Sequence, residues 1–568
     1  MALVRFLNSQ ADAAAQSSDS EIQVPFGTTI LEAARAAGIL IESPCNCAGT
    51  CGKCKVQVAA QSLPYIIYKA NTEEQLLSQS EISQGIVLAC RTEIQGDIDV
   101  TLIHRRDNKD VQILSDGLNL DVQLDSFIKK QYLPDCRETL VLAGGELLAR
   151  ETGDTTERNY GMVVDIGTTT LVLSLLNLNT GRELAAVSAL NPQSLYAQDV
   201  LSRINFAAKE TGLSVMYTGI IDAINAMIEE ALTKTGISSG NIYDVVFSGN
   251  TCMLHLAVNT NPAPLGKYPY TPVIYGGNRI AASEHNLNVA PCAQLYLPPI
   301  ISAYVGADIT SGILAADLQH LEGTTLFVDI GTNGEMALAV DGQLTATSTA
   351  AGPAFEGMNI ACGMRAAPGA IEKFQIKGNN SVFIKTIGNE AAAGICGSGL
   401  VDIVGELAAH KIIGTNGKFA SASVLEFPLL TARMAKIDDK TIFRLQNNIY
   451  LSQKDVRQVQ LAKGAIRAGI ESLLAAKQLN ANQVDRVYIA GSFGYHLNAA
   501  SLIHIGLLPE AFRDKISFLG NTSKTGGQAF LLNQAARSQM ADLVKTVEVL
   551  ELATTNDFDK LFVKCLNF

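Results

Sequence analysis

The stretch GMVVDIGTTTLVLSLLNLNTGRELAAV, residues 161–187, is echoed in pattern by LFVDIGTNGEMALAVDGQLTATS, residues 326–348. Each reads as an apolar strand, the turn Asp-Ile-Gly-Thr, a second strand, a glycine-containing turn and a third strand. A second echo follows each copy. A helical stretch near 220–232 leads into DVVFSGN at Asp244–Asn250, and another near 456–477 leads into DRVYIAGSFG at Asp485–Gly494. Repetition of a whole supersecondary pattern predicts two homologous α/β lobes facing a cleft. The turn has a chemical reading, because a glycine hairpin presents backbone N–H groups and threonine hydroxyls to phosphate oxygens. The preceding aspartate, Asp165 or Asp329, stands at a strand end where it can hold a hydrated Mg²⁺ bridging those phosphates. One such turn alone says little. Two at homologous positions, with Gly491-Ser492-Phe493-Gly494 after a strand to receive adenosine, specify a nucleotide site. No GxxxxGK[ST] run occurs, which excludes a P-loop. Gly394-Ile-Cys-Gly-Ser-Gly399 matches GxGxxG in form, but no clear βαβ unit surrounds it. Helix-start packing, with a nucleotide contact left open, is the expectation there.

Working outward toward the N-terminus, ESPCNCAGTCGKCKVQV begins at Glu42, and a later cysteine, Cys90, lies in IVLACRTEI. A 2Fe–2S cluster needs four thiolates converging on two irons; a tight loop can supply Cys45, Cys51 and Cys54, and a later strand Cys90. Gly49 and Gly52 let the loop wrap the cluster with its N–H groups toward the sulfurs. The flanks suit a β-grasp ferredoxin. Short strands near Val4–Leu7 and Glu21–Val24 precede a helix from about Thr29, where Thr29 and Glu32 form a capping box. Ile30, Ala33, Ala34 and Ala37 make its apolar stripe and Gly38 stops it. Strands at Lys55–Ala59 and near Ile103 complete the module. Structural zinc is the competing reading, but it usually takes two short knuckles, which a distant fourth cysteine does not provide. Cys47, a fifth thiol in the loop, is expected to be a non-ligand, with exchange against Cys45 as the alternative.

The chain has 568 residues, more than one core supports, so several domains are expected. Hydrophobic residues make up 47% and charged ones 17%, the balance of a packed globular protein and not of a disordered one. A net charge of −12 argues against a nucleic-acid footprint. No apolar run long enough to span a bilayer is present, and the N-terminus does not read as a signal peptide, so a cytoplasmic protein with no membrane partner is expected. The 11 cysteines cluster between 45 and 90 and are otherwise scattered, which suits metal ligation in a reducing compartment better than disulfides. Between Asp107 and Asn159 the signals thin out; short apolar runs such as VQIL and LVLAGG read as a linker with a little structure of its own, and RETGDTTERN at its end as a flexible joint. The layout is therefore a ferredoxin at 1–105, a linker or shortened middle segment at 106–159, and ATPase lobes at 160–322 and 323–568.

The duplicated pattern resembles the acetate and sugar kinase, heat-shock chaperone and actin superfamily, whose fold is a duplicated, ribonuclease H-like α/β unit. Joined to a ferredoxin, it resembles the reductive activators of corrinoid-dependent enzymes. Segments carrying the resemblance are NPQSLYAQDVLSRI from Asn191, SGNTCMLHL from Ser248, ISAYVGADITSG from Ile301, AGPAFEGMNIACGMRAAPGAI from Ala351, KDVRQVQLAKGAI from Lys454 and AGSFGYHLN from Ala490. On this resemblance the family's middle domain would fall, much shortened, in 107–159. The resemblance implies one-electron transfer from the cluster to the cob(II)alamin of a corrinoid protein, giving cob(I)alamin, at the expense of ATP. An electron-donating reductase is a further partner, and a homodimer is left open. Each tenfold shift in a one-electron equilibrium is about 59 mV, or roughly 1.4 kcal/mol, so ATP can drive a reduction that is uphill from a ferredoxin. Asp165 and Asp329 are assigned to Mg²⁺ and water, and Gly167, Thr168, Thr169, Gly331, Thr332 and Asn333 to phosphates. Gly491, Ser492 and Phe493 are assigned to adenosine. Asp308 is a candidate water-activating carboxylate or a helix N-cap. Glu335 orders water or pairs in the core, His255 is expected to be a satisfied core histidine, and Gly357 and Gly363 shape a loop around Cys362. Two other functions remain open: an ATP-gated electron carrier for another low-potential enzyme, and a redox-sensing chaperone-like ATPase.

Overall fold

The computed structural model describes residues 1–8, 20–43, 45, 47, 49, 51–68, 76–103, 122–378, 381–421, 428–437, 439–491, 497–555 and 557–568. The chain divides into two compact units, 1–110 with 192–206, and 111–191 with 207–568.

In the first unit Thr29 caps helix α1 (Ile30–Ala36) through the expected box with Glu32, and Gly38 follows at φ +70°. Such a cap contributes about 1 kcal/mol. It also fixes which face of α1 is inward: Ile30, Leu31, Ala33 and Ala34 join Val4, Phe6, Val56, Val87 and Val100 in one core. The strands are β1 (Ala2–Asn8), β2 (Ser20–Val24), β3 (Lys55–Val58), β4 (Ile86–Leu88) and β5 (Ile98–Leu102), in the order β2-β1-β5-β3-β4. β1 and β5 run parallel and the other pairs antiparallel, the mixed sheet of a β-grasp ferredoxin.

Of the stretch 106–159 expected as a linker, residues 106–121 lie outside the described residues, and the remainder carries regular structure. Residues 128–152 form a three-stranded antiparallel meander, β6 (Ile128–Leu133), β7 (Glu138–Ala143) and β8 (Glu146–Thr152). Gly144-Gly145, both at positive φ, make its second turn. RETGDTTERN is pinned. Lys130, its side chain 1% exposed, donates through Nζ to Glu151 Oε2 (2.8 Å), the Arg158 carbonyl (3.0 Å) and the Tyr243 hydroxyl (2.8 Å). A buried ammonium must find acceptors, and the chain from 151 to 158 wraps around this one to supply them.

The two lobes repeat one topology. In the first, β9 (Tyr160–Ile166), β10 (Thr170–Asn177) and β11 (Glu183–Leu190) form antiparallel hairpins; helix α2 (Gly212–Thr235) then leads to β12 (Ile242–Gly249), which lies parallel to β9. β13 (Gln294–Tyr296) and an edge strand at Arg279–Ala281 extend the sheet to β11-β10-β9-β12-β13-edge. Helix α3 (Ala307–Ala315) follows. In the second lobe β14 (Thr324–Ile330), β15 (Gly334–Val340) and β16 (Gln343–Thr349) repeat the hairpins. Helix α4 (Gln453–Ala476) leads to β17 (Arg486–Ala490), and β18 (Ile516–Gly520) precedes helix α5 (Thr522–Leu532). The order β18-β17-β14-β15-β16 reproduces the first sheet. β9, β10, β14 and β15 are buried nearly end to end, as expected of strands covered on both faces, so they read as apolar runs without alternation.

Helices α3 and α5 pack together where the two lobes meet. α3 lays Gly312 against Phe327 of β14, and α5 lays Gly527 against Val163 of β9. The helices touch each other at Gly526, where a Cβ would fall 1.9 Å from the Ser311 carbonyl oxygen. Only glycine allows so close a crossing. Among the described residues no single helix is long and apolar enough to cross a membrane.

Candidate functional site

The cysteine loop is built between α1 and β3, with Cys90 just beyond β4. Its four predicted ligands converge in two pairs: Cys51 and Cys45 sulfurs lie 3.2 Å apart, and Cys54 and Cys90 sulfurs 3.3 Å apart. Gly49 (φ +72°) and Gly52 (φ +68°) make the left-handed turns that fold the loop back on itself. The Lys53 amide donates toward the Cys51 sulfur and the Cys90 amide toward the Cys54 sulfur, the backbone donors a negatively charged cluster requires. Two close thiol pairs suit two irons, one pair to each. Cys47 turns elsewhere: its sulfur lies 3.8 Å from both Arg35 Nη2 and Ser43 Oγ, and its amide donates to Ser43 Oγ.

In the second unit, the two Asp-Ile-Gly-Thr turns face one another. Gly167 N–H closes the first onto the Thr170 carbonyl, and Gly331 N–H closes the second onto that of Asn333. The strand after each helix approaches so closely that glycine is required. A Cβ on Gly249 would meet the Ile166 carbonyl at 2.6 Å, and one on Gly491 the Ile330 carbonyl at 2.7 Å. Gly491 also sits beside Asp329, whose Oδ1 a Cβ would meet at 2.8 Å. Ser492 and Phe493 lie outside the described residues.

Four carboxylates share this space. Asp165 accepts from Asn521 Nδ2 (2.8 Å) and Ser523 Oγ (2.7 Å), both at the start of α5. Burial pushes Asp165 up, and Ser523, Asn521 and the Lys524 charge counter it. Asp329 lies directly across the hairpin from Glu335 in the strand register. Burial, then the Asp165 charge, raises Asp329 to about 7. Asp308 rises to about 8 through burial and the Asp329 charge, and Glu335 well above its usual range through burial and the Asp308 charge. Asp308 is not an N-cap. That position is Gly306, and Asp308 lies in the first turn of α3, accepting from the Ile309 amide at 2.9 Å. Buried like charges at this spacing call for protons or for a cation among them.

The threonines are also engaged. Thr168 Oγ1 accepts from Asn250 Nδ2 at 3.1 Å, while Asn333 Nδ2 donates to Glu335 Oε1 at 3.1 Å. Thr169 Oγ1 donates to Glu356 Oε2 and Thr332 Oγ1 to Glu356 Oε1, both at 2.5 Å. Asn521, Ser523 and Glu356 are the residues that sequence reasoning missed. Asn521-Thr-Ser-Lys-Thr-Gly-Gly527 carries the signal for the first two, a capping asparagine ahead of a glycine pair. Of the remaining candidates, His255 is a satisfied core histidine: its Nδ1 is 2.7 Å from the Thr251 carbonyl, and Nε2 accepts from the amides of Val273 and Ile274. Gly399 packs its helix, Gly397–Ala409, within 2.0 Å (measured from a Cβ) of the Ile371 carbonyl, which accounts for the GxGxxG match by packing.

A β-grasp fold with four paired cysteines and a duplicated lobe pair with facing Asp-Ile-Gly-Thr hairpins define a 2Fe–2S ferredoxin fused to an actin-like ATPase. The chain belongs to the family of reductive activators of corrinoid proteins. Its residues 323–568 match the family model for the C-terminal domain of RACo, the ASKHA domain; 160–321 match the RACo middle region, and 14–95 the 2Fe–2S iron–sulfur cluster binding domain. The middle-region match lies on the first lobe, which overturns the expectation of a shortened middle domain in 107–159. The corrinoid activation enzyme RamQ of Eubacterium limosum is 31% identical over 414 residues, 71% of this chain and 69% of that protein. The [Co(II) methylated amine-specific corrinoid protein] reductase of Methanosarcina barkeri is 26% identical, over 72% of this chain and 77% of that protein. A solved structure described as a reductive activator for corrinoid, iron–sulfur protein superposes with a TM-score of 0.72 at 30% identity, covering 100% of this chain and 98% of that one.

Proposed function

We propose that the protein delivers one electron from a 2Fe–2S cluster, held by Cys45, Cys51, Cys54 and Cys90, to the Co(II) of a corrinoid protein, giving Co(I), with ATP hydrolysis in the two-lobed domain. The reduced cluster loses one electron and the cobalt gains it; a separate reductase resupplies the cluster. In this reading the ferredoxin is 1–105 and the ATPase lobes are 160–322 and 323–568, in a cytoplasmic protein. Thr168, Thr169, Gly167, Gly331, Thr332 and Asn333 would receive phosphates, and Asp329, with Asp308 and Glu335, would hold the Mg²⁺ that neutralises them. Asp165 completes the acidic wall, and Gly491 leads into the adenosine side. The observation that carries the reading is the pair of homologous hairpins meeting over one buried carboxylate cluster, in the same chain as a four-thiol cradle. Lobe closure on nucleotide would change the affinity for the corrinoid partner or its cobalt ligation, and so couple hydrolysis to an uphill electron transfer.

The test is anaerobic reduction of a corrinoid protein followed by its visible spectrum. Co(I) should accumulate only when reductant and MgATP are both present, and Cys54→Ser should lose both the cluster's paramagnetic signal and the reduction. Equal reduction with and without ATP would overturn the proposal.

A further inference from the structure

Glu356 touches both phosphate hairpins at once, and nothing in the proposed chemistry uses it. Its two carboxylate oxygens each accept one hydroxyl proton, from Thr169 of the first lobe and Thr332 of the second. A carboxylate is a planar anion with two acceptor oxygens, and a phosphate offers the same two-oxygen face to the same donors. The two groups therefore compete for one pair of hydroxyls. Glu356 ends a short turn, Pro353–Glu356, bracketed by Gly352 at φ +78° and Gly357 at φ +79°. A side chain added at Gly352 would meet nothing within 4 Å. Beyond the turn the chain is tied down again, where the Ala361 amide donates to Asp455 Oδ1 at 2.7 Å on α4. Ala354 and Phe355 within the turn, and Ile360 beyond it, lie in the hydrophobic core, so the backbone is held and the Glu356 side chain is the part that can leave the hydroxyls.

We infer that Glu356 is a built-in occupant of the phosphate site, which ATP must displace to take the Thr169 and Thr332 hydroxyls, so that nucleotide occupancy turns the Glu356 side chain away from both hairpins. The inference rests on the reading that these hairpins hold nucleotide phosphate. It makes Glu356 a positioning residue with a defined sign: in the nucleotide-free protein its charge and hydrogen bonds oppose binding.

The decisive measurement is the affinity of wild-type protein and Glu356→Gln for Mg·ADP and for Mg·AMP-PNP by titration calorimetry. The variant keeps the side-chain size, removes the charge and turns one acceptor into a donor. Loss of one charge-assisted hydrogen bond from the competing state should tighten nucleotide binding by about tenfold. Equal or weaker binding by the variant would overturn the displacement. Failure of both proteins to bind nucleotide would remove the phosphate site itself, a different result.

Discussion

Asp165 and Asp329 occupy the same place in two copies of one hairpin, each the next-to-last residue of a first strand, yet they keep different company. Asp165 is met by a helix start: Asn521 and Ser523 donate to it and the Lys524 charge stands nearby. Asp329 is met by carboxylates: Glu335 lies opposite it, burial and then the Asp165 charge raise it, and its own charge adds to burial in raising Asp308. The two acids are equivalent by topology; the start of α5 satisfies one and the other is left among carboxylates. The motif alone does not distinguish the two environments. The neighbour does.

The largest expected effect is on turnover. Asp329→Asn should lower Mg²⁺-dependent ATP hydrolysis by on the order of 100-fold or more, because the metal-facing charge is removed. The same change should raise the melting temperature of the metal-free protein above pH 8, where Asp329 would otherwise be a buried charge near Asp165. Phosphate release and calorimetry check the two halves, and a lower melting temperature would break the contrast with Asp165. Next, Asp165→Ala should destabilise the protein by about 2–4 kcal/mol in denaturant titration, because Asn521 Nδ2 and Ser523 Oγ lose their buried acceptor. An equal loss for Asp329→Ala would erase the distinction. The smallest effect is a pH dependence. Asp329 at about 7 and Asp308 at about 8 are raised above the ordinary value of 3.8, so the folded state holds extra protons. That stabilisation is present at low pH and is lost progressively as pH rises through 7 and 8. Metal-free protein should therefore melt a few degrees lower at pH 9 than at pH 6, and saturating Mg²⁺ should flatten the difference.

The hairpins, their glycines and the cysteine spacing were legible because each depends on local chemistry: a turn, a positive φ, a thiol count. The Thr29 cap and the helices before β12 and β17 were legible for the same reason. What the sequence concealed is what distance brings together. Glu356 stands in AGPAFEG, a segment whose resemblance was plain, but its role depends on two threonines from different lobes. The neutralisers of Asp165 sit in a stretch that reads as an ordinary polar helix start. The meander was a different kind of miss. LVLAGGELLAR carries a Gly-Gly turn between two strand-like runs, a hairpin signal, and the charged residues around it suggested a linker because Lys130 gave no hint of being buried.

The crossing of α3 and α5 at Gly526 also sets an order of assembly. Asp165 meets Ser523 across 358 residues of chain, so the first lobe's sheet waits for a helix made near the end of synthesis. A ribosome-bound chain that has completed β12 still shows the bare face on which α5 will lie, and contacts of such sequence separation form slowly. Truncation after the first lobe would therefore yield not a smaller ATP-binding protein but an unfinished one, prone to aggregate along β9 and β12 until the missing helix is supplied.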